Sequence, residues 1–403
     1  MRILNVTESY APFYEFGGPP AKVQALSRGL ANRGNEVTVL TADWGVEERD
    51  SGVPEAHGFQ RSPFGWTGED QGVKAIYLPT WLHYRATSWN PAISRCLRER
   101  LSQFDVVHIF GLYDLLGPAA AKECRKQSIP YVVEPIGMFV PIVRNVRLKR
   151  LYNYFYGREM LAGAARVIAT SEQEVRELND GGISKEKIVL RRNGVMQPER
   201  IPDRGLFRET KGIPAESLVV LFLGRLSEKK SPDLLLKAFS ALPPQIAGRN
   251  LRLVFAGPDE HGMETKLKEM AAALHVTERV RFTGPVFGEE KWAAYRDANV
   301  FVLPSQNENF GNTAAESAAV GTPVIVTEQC GIASLLADAA LIIPHQEAAL
   351  VQAMKTLLQD ETLRTRLGRQ AAEAASKIGW DEPVAEMEIL YRTLAEKGQG
   401  SED

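Results

Sequence analysis

Short apolar runs alternate with stretches of helical period along almost the whole of this chain. In the first half they fall at residues 3–6, 37–42, 75–78, 106–110, 131–134, 167–170 and 188–190. Each is rich in β-branched residues and bounded by polar or turn residues, as are strands buried on both faces of a parallel sheet. In the second half the runs are 218–223, 251–256, 280–283, 300–303, 323–327 and 341–344, with helical stretches such as 233–241, 263–274 and 289–298 between them. Strand–helix alternation implies right-handed crossovers and a doubly wound sheet. Two such sets in 403 residues suit two domains of roughly 150–200 residues each. The expected fold is therefore α/β, with two Rossmann-like doubly wound domains facing a cleft. The expected domains are 1–196 and 213–379, with a Pro-, Gly- and charge-rich boundary at 196–214. A helix over 380–398 is expected to rejoin the first domain, with Val384, Met387, Ile389, Leu390 and Leu394 as its apolar stripe.

Composition removes several function classes. Net charge is −2, so no global basicity supports nucleic-acid binding. Cys96, Cys124 and Cys330 are far apart, which fits a reducing compartment and neither a disulfide framework nor a zinc site. The first residues turn polar too soon for a signal peptide. No apolar run approaches the ~20 residues of a membrane span. A cytoplasmic protein is expected, with peripheral membrane contact left open.

Open α/β sheets bind ligands at the carboxyl ends of their strands. No G-x-G-x-x-G follows the first run and no G-x-x-x-x-G-K-[ST] occurs, so dinucleotide oxidoreductases and P-loop NTPases are set aside. After 218–223 stands Gly224-Arg225-Leu226-Ser227-Glu228-Lys229-Lys230. Arg225 and Lys230 could hold a phosphate pair, one as a planar fork and one as a point charge; the alternative is a solvated basic loop. After 300–303 stands Pro304-Ser305-Gln306-Asn307-Glu308-Asn309-Phe310-Gly311-Asn312-Thr313-Ala314-Ala315-Glu316. Glu308 falls in the loop and Glu316 about one and a half turns into the next helix. The amides of Gly311, Asn312 and Thr313 then form a helix start, a seat for phosphate or sugar oxygens. A bare Glu-x7-Glu is weak evidence by itself, since glutamate is common on helices. Gly17-Gly18 before a helix either admits an anion at a helix start or is a plain loop. His108 ends a strand and is either packed and hydrogen-bonded or catalytic.

Taken together these motifs resemble the retaining family 4 glycosyltransferases of the GT-B fold. The likeness runs nearly end to end: Gly17-Gly18, Asp105-Val106-Val107-His108, Ala169-Thr170-Ser171, Arg192-Asn193-Gly194-Val195, Gly224-Arg225-Leu226 with Lys230, Ala256-Gly257-Pro258, Arg281-Phe282-Thr283-Gly284-Pro285-Val286, and Pro304 through Glu316 to Gly321-Thr322-Pro323-Val324. The resemblance implies a nucleoside-diphosphate sugar as donor substrate, a hydroxyl acceptor, no metal and no further cofactor. It implies that Arg225 and Lys230 bind the donor diphosphate and that Glu316 accepts hydrogen bonds from the ribose. Glu308 would face the sugar, with Asn309 and the amides of Phe310, Gly311, Asn312 and Thr313 beside sugar and phosphate. Gly257 and the backbone near Val286 would lie by the nucleotide, and Gly17 and Gly18 would approach the phosphates from the other domain. With configuration retained, a phosphate oxygen takes the acceptor proton and no protein nucleophile is required.

This chain departs from the family pattern in places. Phe110 stands where a second histidine is frequent, Ser231 where a glycine follows the lysine, Met196 where an aspartate is frequent, and Ile136 precedes Gly137 where His or Arg is common. A basic aromatic stretch, Arg144, Arg147, Lys149, Arg150 and Arg158 with Tyr152, Tyr154, Phe155 and Tyr156, is either a contact with a lipid-phosphate acceptor or anionic membrane, or a surface helix with its aromatics packed inward. Other functions on such a fold are a nucleotide-sugar epimerase, a phosphorylase, or a non-catalytic sugar-nucleotide-binding partner of another transferase.

Overall fold

The computed structural model describes residues 1–13, 18–44, 58–84, 87–140, 146–198 and 200–399. The chain forms two compact units, Met1–Gly194 with Trp380–Asp403, and Val195–Gly379. Among the described residues, every run read as a strand is one, within two residues at each end.

The first unit carries a nine-stranded sheet in the order Ile188–Leu190, Arg166–Ala169, Tyr131–Glu134, Val106–Phe110, Arg2–Thr7, Glu36–Ala42, Val73–Leu78, Gly65–Asp70, Gln60–Ser62. The strands from Ile188–Leu190 to Val73–Leu78 are parallel. Alternation of period two splits their side chains between two cores. Val107 and Ile109 join one; Val106 and Phe110 join the other, with Val23, Leu26 and Leu30 of helix Gly18–Asn32. The last two strands, Gly65–Asp70 and Gln60–Ser62, are an antiparallel edge. No apolar run marks them, because an edge strand half open to water needs none. Their signal is the Gln71-Gly72 pair, both with positive φ (48° and 81°), a two-residue hairpin turn.

Helix Asp381–Gln399 returns to the first unit. Its buried stripe is Val384, Met387, Tyr391 and Leu394, spaced three or four apart. Ile389 was expected in that stripe and is 67% exposed; it lies on the opposite face, and Tyr391 fills the inward position. Gly29 admits this helix closely: a Cβ there would fall 2.5 Å from Val384 Cγ2. Glu388 fixes the register. It accepts hydrogen bonds from Arg33 Nε at 2.6 Å and Asn35 Nδ2 at 3.0 Å.

The second unit has the parallel order Val280–Phe282, Arg249–Ala256, Leu218–Leu223, Val300–Leu303, Val324–Thr327, Ala340–Ile343, with the short antiparallel strand Gln245–Ile246 beside Arg249–Ala256. Numbered along the chain, the parallel strands run 3-2-1-4-5-6, the dinucleotide-fold order. Leu218–Leu223 is buried at every position. Residues 200–212, left between domains by the sequence, belong to this unit. Asp297 ties them down: its carboxylate accepts from the backbone N–H groups of Gly205, Phe207 and Arg208.

Glu388 yields a pH prediction. Hydrogen bonds from Arg33 and Asn35, with Arg392 beside them, hold its carboxyl down at about 2, against an ordinary 4.5. A depressed folded pKa contributes stability that is complete above the unfolded value and is lost as pH falls through the folded one. Urea unfolding should show Glu388→Gln less stable than wild type at pH 7, with a gap that narrows steadily as pH falls from about 4.5 towards 2. A constant gap across that window contradicts the prediction.

Candidate functional site

In the 3-2-1-4-5-6 order the topology reverses between Leu218–Leu223 and Val300–Leu303, where such folds bind ligands. The loops leaving Leu218–Leu223 and its other neighbour Arg249–Ala256 approach unusually closely. Gly257 has φ +146°, and a Cβ on it would fall 2.0 Å from the Gly224 carbonyl oxygen. Gly224 itself has φ +149°. Backbone hydrogen bonds fasten the strand ends together: Gly224 N–H to Ala256 O, Leu226 N–H to Pro258 O, and Gly257 N–H to Gly284 O, at 2.8–2.9 Å. The strand exits therefore form a rigid floor made of main chain.

Lys230 crosses this floor. It ends the short helix Glu228–Lys230, and its Nζ donates to Glu308 Oε2 at 2.6 Å. Burial alone would raise the Glu308 carboxyl; the charge and hydrogen bond of Lys230, with Lys229 and Arg225 nearby, outweigh it and hold the group below its ordinary value. Glu308 is thus ionised and faces a cluster of cations. Its backbone is fixed by Glu308 N–H to Gln329 O at 3.0 Å and Gly331 N–H to Glu308 O at 2.9 Å. Arg225 reaches Glu260 at 3.2 Å.

Gly311, at φ +97°, precedes helix Asn312–Ala319. The first amides of a helix lack intrahelical partners, so those of Asn312 and Thr313 begin a donor-rich end. Thr313 Oγ1 is buried there without a hydrogen-bond partner. Phe310 is buried in the core, which leaves only its backbone for a ligand, and the Val286 side chain is likewise buried. Glu316 sits further along the helix, buried, its two oxygens held by Lys291 Nζ and Tyr295 OH at 2.8 Å each. Burial and the adjoining Glu316 charge keep the Tyr295 hydroxyl protonated, far above its ordinary range.

Lys291 and Tyr295 were not singled out from the sequence. They lie four apart on helix Gly288–Asp297, a spacing that puts them on one face, yet nothing in the sequence aims that face at Glu316. Ser231 resolves one departure from the family pattern. It holds the left-handed conformation a glycine would favour, φ +50°, and its Oγ lies 3.0 Å from His345 Nε2.

In the first unit, Gly17 lies outside the described residues, and Gly18 opens helix Gly18–Asn32. His108 has no accessible surface. Its Nδ1 pairs with Tyr391 OH at 2.6 Å, its Nε2 lies 3.5 Å from Glu134, and its ring stacks on Phe110. Burial, with Arg191 and Lys22 adding to it against the pull of Glu134, drops its pKa to about 3, so the ring is neutral. Glu134 joins it to Lys22 and Arg191 in a fully buried ionic cluster. Burial opposes the Glu134 charge, but Arg191 and Lys22 bring its carboxyl down to about 2. The structure thus places His108 beneath the surface with Lys22, Glu134, Arg191 and Tyr391. Among the described residues no three His, Cys, Asp or Glu side chains are grouped to hold a metal ion.

A glycosyl transferase 4-like domain matches residues 17–194, and the glycosyl transferases group 1 domain matches residues 203–374. A D-inositol 3-phosphate glycosyltransferase of Kineococcus radiotolerans is 32% identical over 416 residues, 94% of this chain and 92% of that protein. The chain belongs to this glycosyltransferase family, family 4. A relative of the same name from Streptomyces bingchenggensis is 36% identical over 247 residues, and the match spans only 54% of that protein's length. In fold, this family 4 chain is similar to Anabaena HepE in complex with UDP and glucose, with TM-score 0.75, 16% identity, and 98% and 100% of the two chains covered. The catalytic domain of Arabidopsis thaliana starch synthase IV bound to ADP and acarbose gives 0.74 at 14% identity, covering 98% and 99%. The architecture is the two-domain α/β GT-B fold.

The floor of the site gives a sharp prediction. Gly257→Ala must move the Gly224 carbonyl and adopt a φ that L-residues rarely reach, so it should destabilise the chain by about 1–3 kcal/mol. Denaturant unfolding measures this; an unchanged midpoint would mean that the two loops separate freely.

Proposed function

We propose that the chain is a retaining, metal-independent glycosyltransferase that moves a sugar from a nucleoside-diphosphate sugar to a hydroxyl acceptor, in polysaccharide, glycolipid or glycoconjugate biosynthesis. The observation that carries this reading is the ionised Glu308 paired with Lys230 at the topological switch point, with Arg225 beside them and a helix start behind. Breaking a glycosyl–phosphate bond builds negative charge on the departing diphosphate and positive charge at the anomeric carbon. Arg225, Lys230 and the Asn312 and Thr313 amides would meet that leaving charge, and preorganised donors of this kind supply much of such catalysis. An arriving diphosphate would compete with Glu308 for Lys230 and leave the carboxylate to the sugar hydroxyls. Glu316, anchored through Lys291 and Tyr295, retains lone pairs for the ribose hydroxyls. Gly257, the backbone near Val286, and Asn309 through Gly311 would complete the donor seat.

His108 enters this reading as a positioning group, since it has no surface to offer a substrate. The nucleotides in the HepE and starch synthase structures support a nucleoside-diphosphate donor. The acceptor is a hydroxyl on a sugar, a lipid-linked sugar or a small molecule. Peripheral membrane contact through 144–158 belongs to the same reading; residues 144 and 145 lie outside the described residues, and no helix among the described residues is long and apolar enough to cross a membrane.

The test is steady-state release of nucleoside diphosphate from UDP-, GDP-, ADP- and dTDP-sugars. Arg225→Ala/Lys230→Ala should lower kcat by about 100-fold or more, because its lost partner is the transition-state charge. Glu316→Ala should act mainly on KM. Wild-type turnover in the double variant sinks the assignment. Nucleotide binding without release from any donor would favour a non-catalytic partner instead.

A further inference from the structure

Among the described residues, most of the exposed large apolar side chains of the first unit lie on two linked elements, the others being Leu115, Val140 and Ile389. Along 148–156, Leu148, Leu151, Tyr154, Phe155 and Tyr156 are 48–68% exposed. Beside the hairpin strands Leu82–Tyr84 and Thr87–Trp89, Trp81 and Leu82 are each 67% exposed and Trp89 is 45% exposed. The two tryptophans brace one another edge to face, 5.8 Å between ring centroids. Tyr113 ties the elements together. Its carbonyl accepts from Thr87 Oγ1 at 2.7 Å, its hydroxyl accepts from Asn153 Nδ2 at 3.3 Å, and its ring lies 5.3 Å from that of Tyr152.

An ordinary surface helix hides one aromatic face. Here only Tyr152 turns inward, donating to the Asp114 carbonyl at 2.8 Å. The next residues, Asn153–Gly157, form a π-helical turn, and its three consecutive aromatics all point to solvent. Residues 146–158 also contain Arg147, Lys149, Arg150 and Arg158 and no carboxylate. Arg147, Arg150 and Arg158 are exposed. Tryptophan and tyrosine beside the exposed Arg147, Arg150 and Arg158 match the interfacial zone of an anionic bilayer, where rings sit at headgroup depth and cations meet lipid phosphate.

We infer that the Trp81–Trp89 hairpin and the 146–158 helix together form a docking face for an anionic lipid bilayer. This deepens the proposed function by narrowing the acceptor to one presented at a membrane, and it rests on that reading for the acceptor alone.

The test is co-sedimentation of the full chain with vesicles of phosphatidylcholine, with and without phosphatidylglycerol. The chain should bind the acidic vesicles and lose that binding as salt is raised. Arg147→Glu/Arg150→Glu should weaken binding at least about ten-fold, since each cation near such a surface contributes about five-fold. Trp81→Ser/Phe155→Ser should weaken it comparably while leaving the salt dependence in place; the single Tyr154→Ser variant, which removes one exposed ring, guards against a folding defect in the pair. Calorimetry with a nucleoside diphosphate runs alongside, and every variant should bind nucleotide as wild type does. Equal binding to neutral vesicles, no binding to either kind, binding indifferent to these substitutions, or sedimentation without vesicles (a second copy covering the face) overturns the inference. Acidic-vesicle binding by a chain that binds no nucleotide would uphold the docking face and remove the transferase reading.

Discussion

The second unit is organised around one close approach of main chain to main chain. The Gly224 carbonyl lies where a side chain on residue 257 would begin. That contact sets the ends of Leu218–Leu223 and Arg249–Ala256 at one level and lets the intervening hydrogen bonds close. Everything polar in the site hangs from it. Lys230 is reached through a short helix that starts four residues beyond Gly224, and its aliphatic stem runs past the space where a Gly224 side chain would stand. A side chain at residue 257 would collide with the Gly224 main chain, and one at residue 224 would have room beside Lys230 but a φ of +149° that L-residues rarely adopt. The two glycines are thus conformational requirements before they are ligand contacts.

The first unit uses a different device. Its sheet is apolar on both faces, yet Lys22, His108, Glu134 and Arg191 sit in its interior with no accessible surface on His108, Glu134 or Arg191. Such a cluster contributes little net stability, because desolvation offsets attraction, but removing one member leaves a buried charge uncompensated. Its effect is on register. Tyr391 from the C-terminal helix reaches His108, so the returning helix docks only where its hydroxyl meets the imidazole, and Glu388 reads the same docking from Arg33 and Asn35. Burial keeps the imidazole neutral, which spares the interior a further buried cation.

The fold was legible because most parallel strands are buried on both faces and therefore apolar at nearly every position; the outer strands Ile188–Leu190 and Val280–Phe282 are only partly buried, yet keep apolar residues. What escaped were the half-exposed edges, Gln60–Ser62, Gly65–Asp70 and Gln245–Ile246, whose residues obey no apolar pattern. The site was legible where one loop carried it, as from Glu308 to Glu316. It was illegible where partners came from distant elements: Lys291 and Tyr295 beneath Glu316, Lys22 and Arg191 around Glu134, and His345 beside Ser231. Chain order gives no sign of contacts over such separations. The basic aromatic stretch divided between its two readings, since Tyr152 packs inward and Tyr154, Phe155 and Tyr156 do not. The π-helical turn that separates them has no sequence mark.

Glu308 and Glu316 invite the reading of an acid–base pair, and their surroundings argue against it. A general acid near neutrality needs a carboxyl raised by burial and shielded from cations. Glu308 has the burial and the opposite electrostatics: Lys230, Lys229 and Arg225 hold it below its ordinary value, so it has no proton to give. Glu316 is gripped through both oxygens by an ammonium and a phenol, which fixes its orientation and spends part of its accepting capacity. Two immobilised acceptors on either side of a helix start suit a ligand with hydroxyls at both ends and anionic oxygens between them. In the proposed transfer the proton would travel by a route that needs neither carboxylate, with the departing phosphate as the group that accepts it.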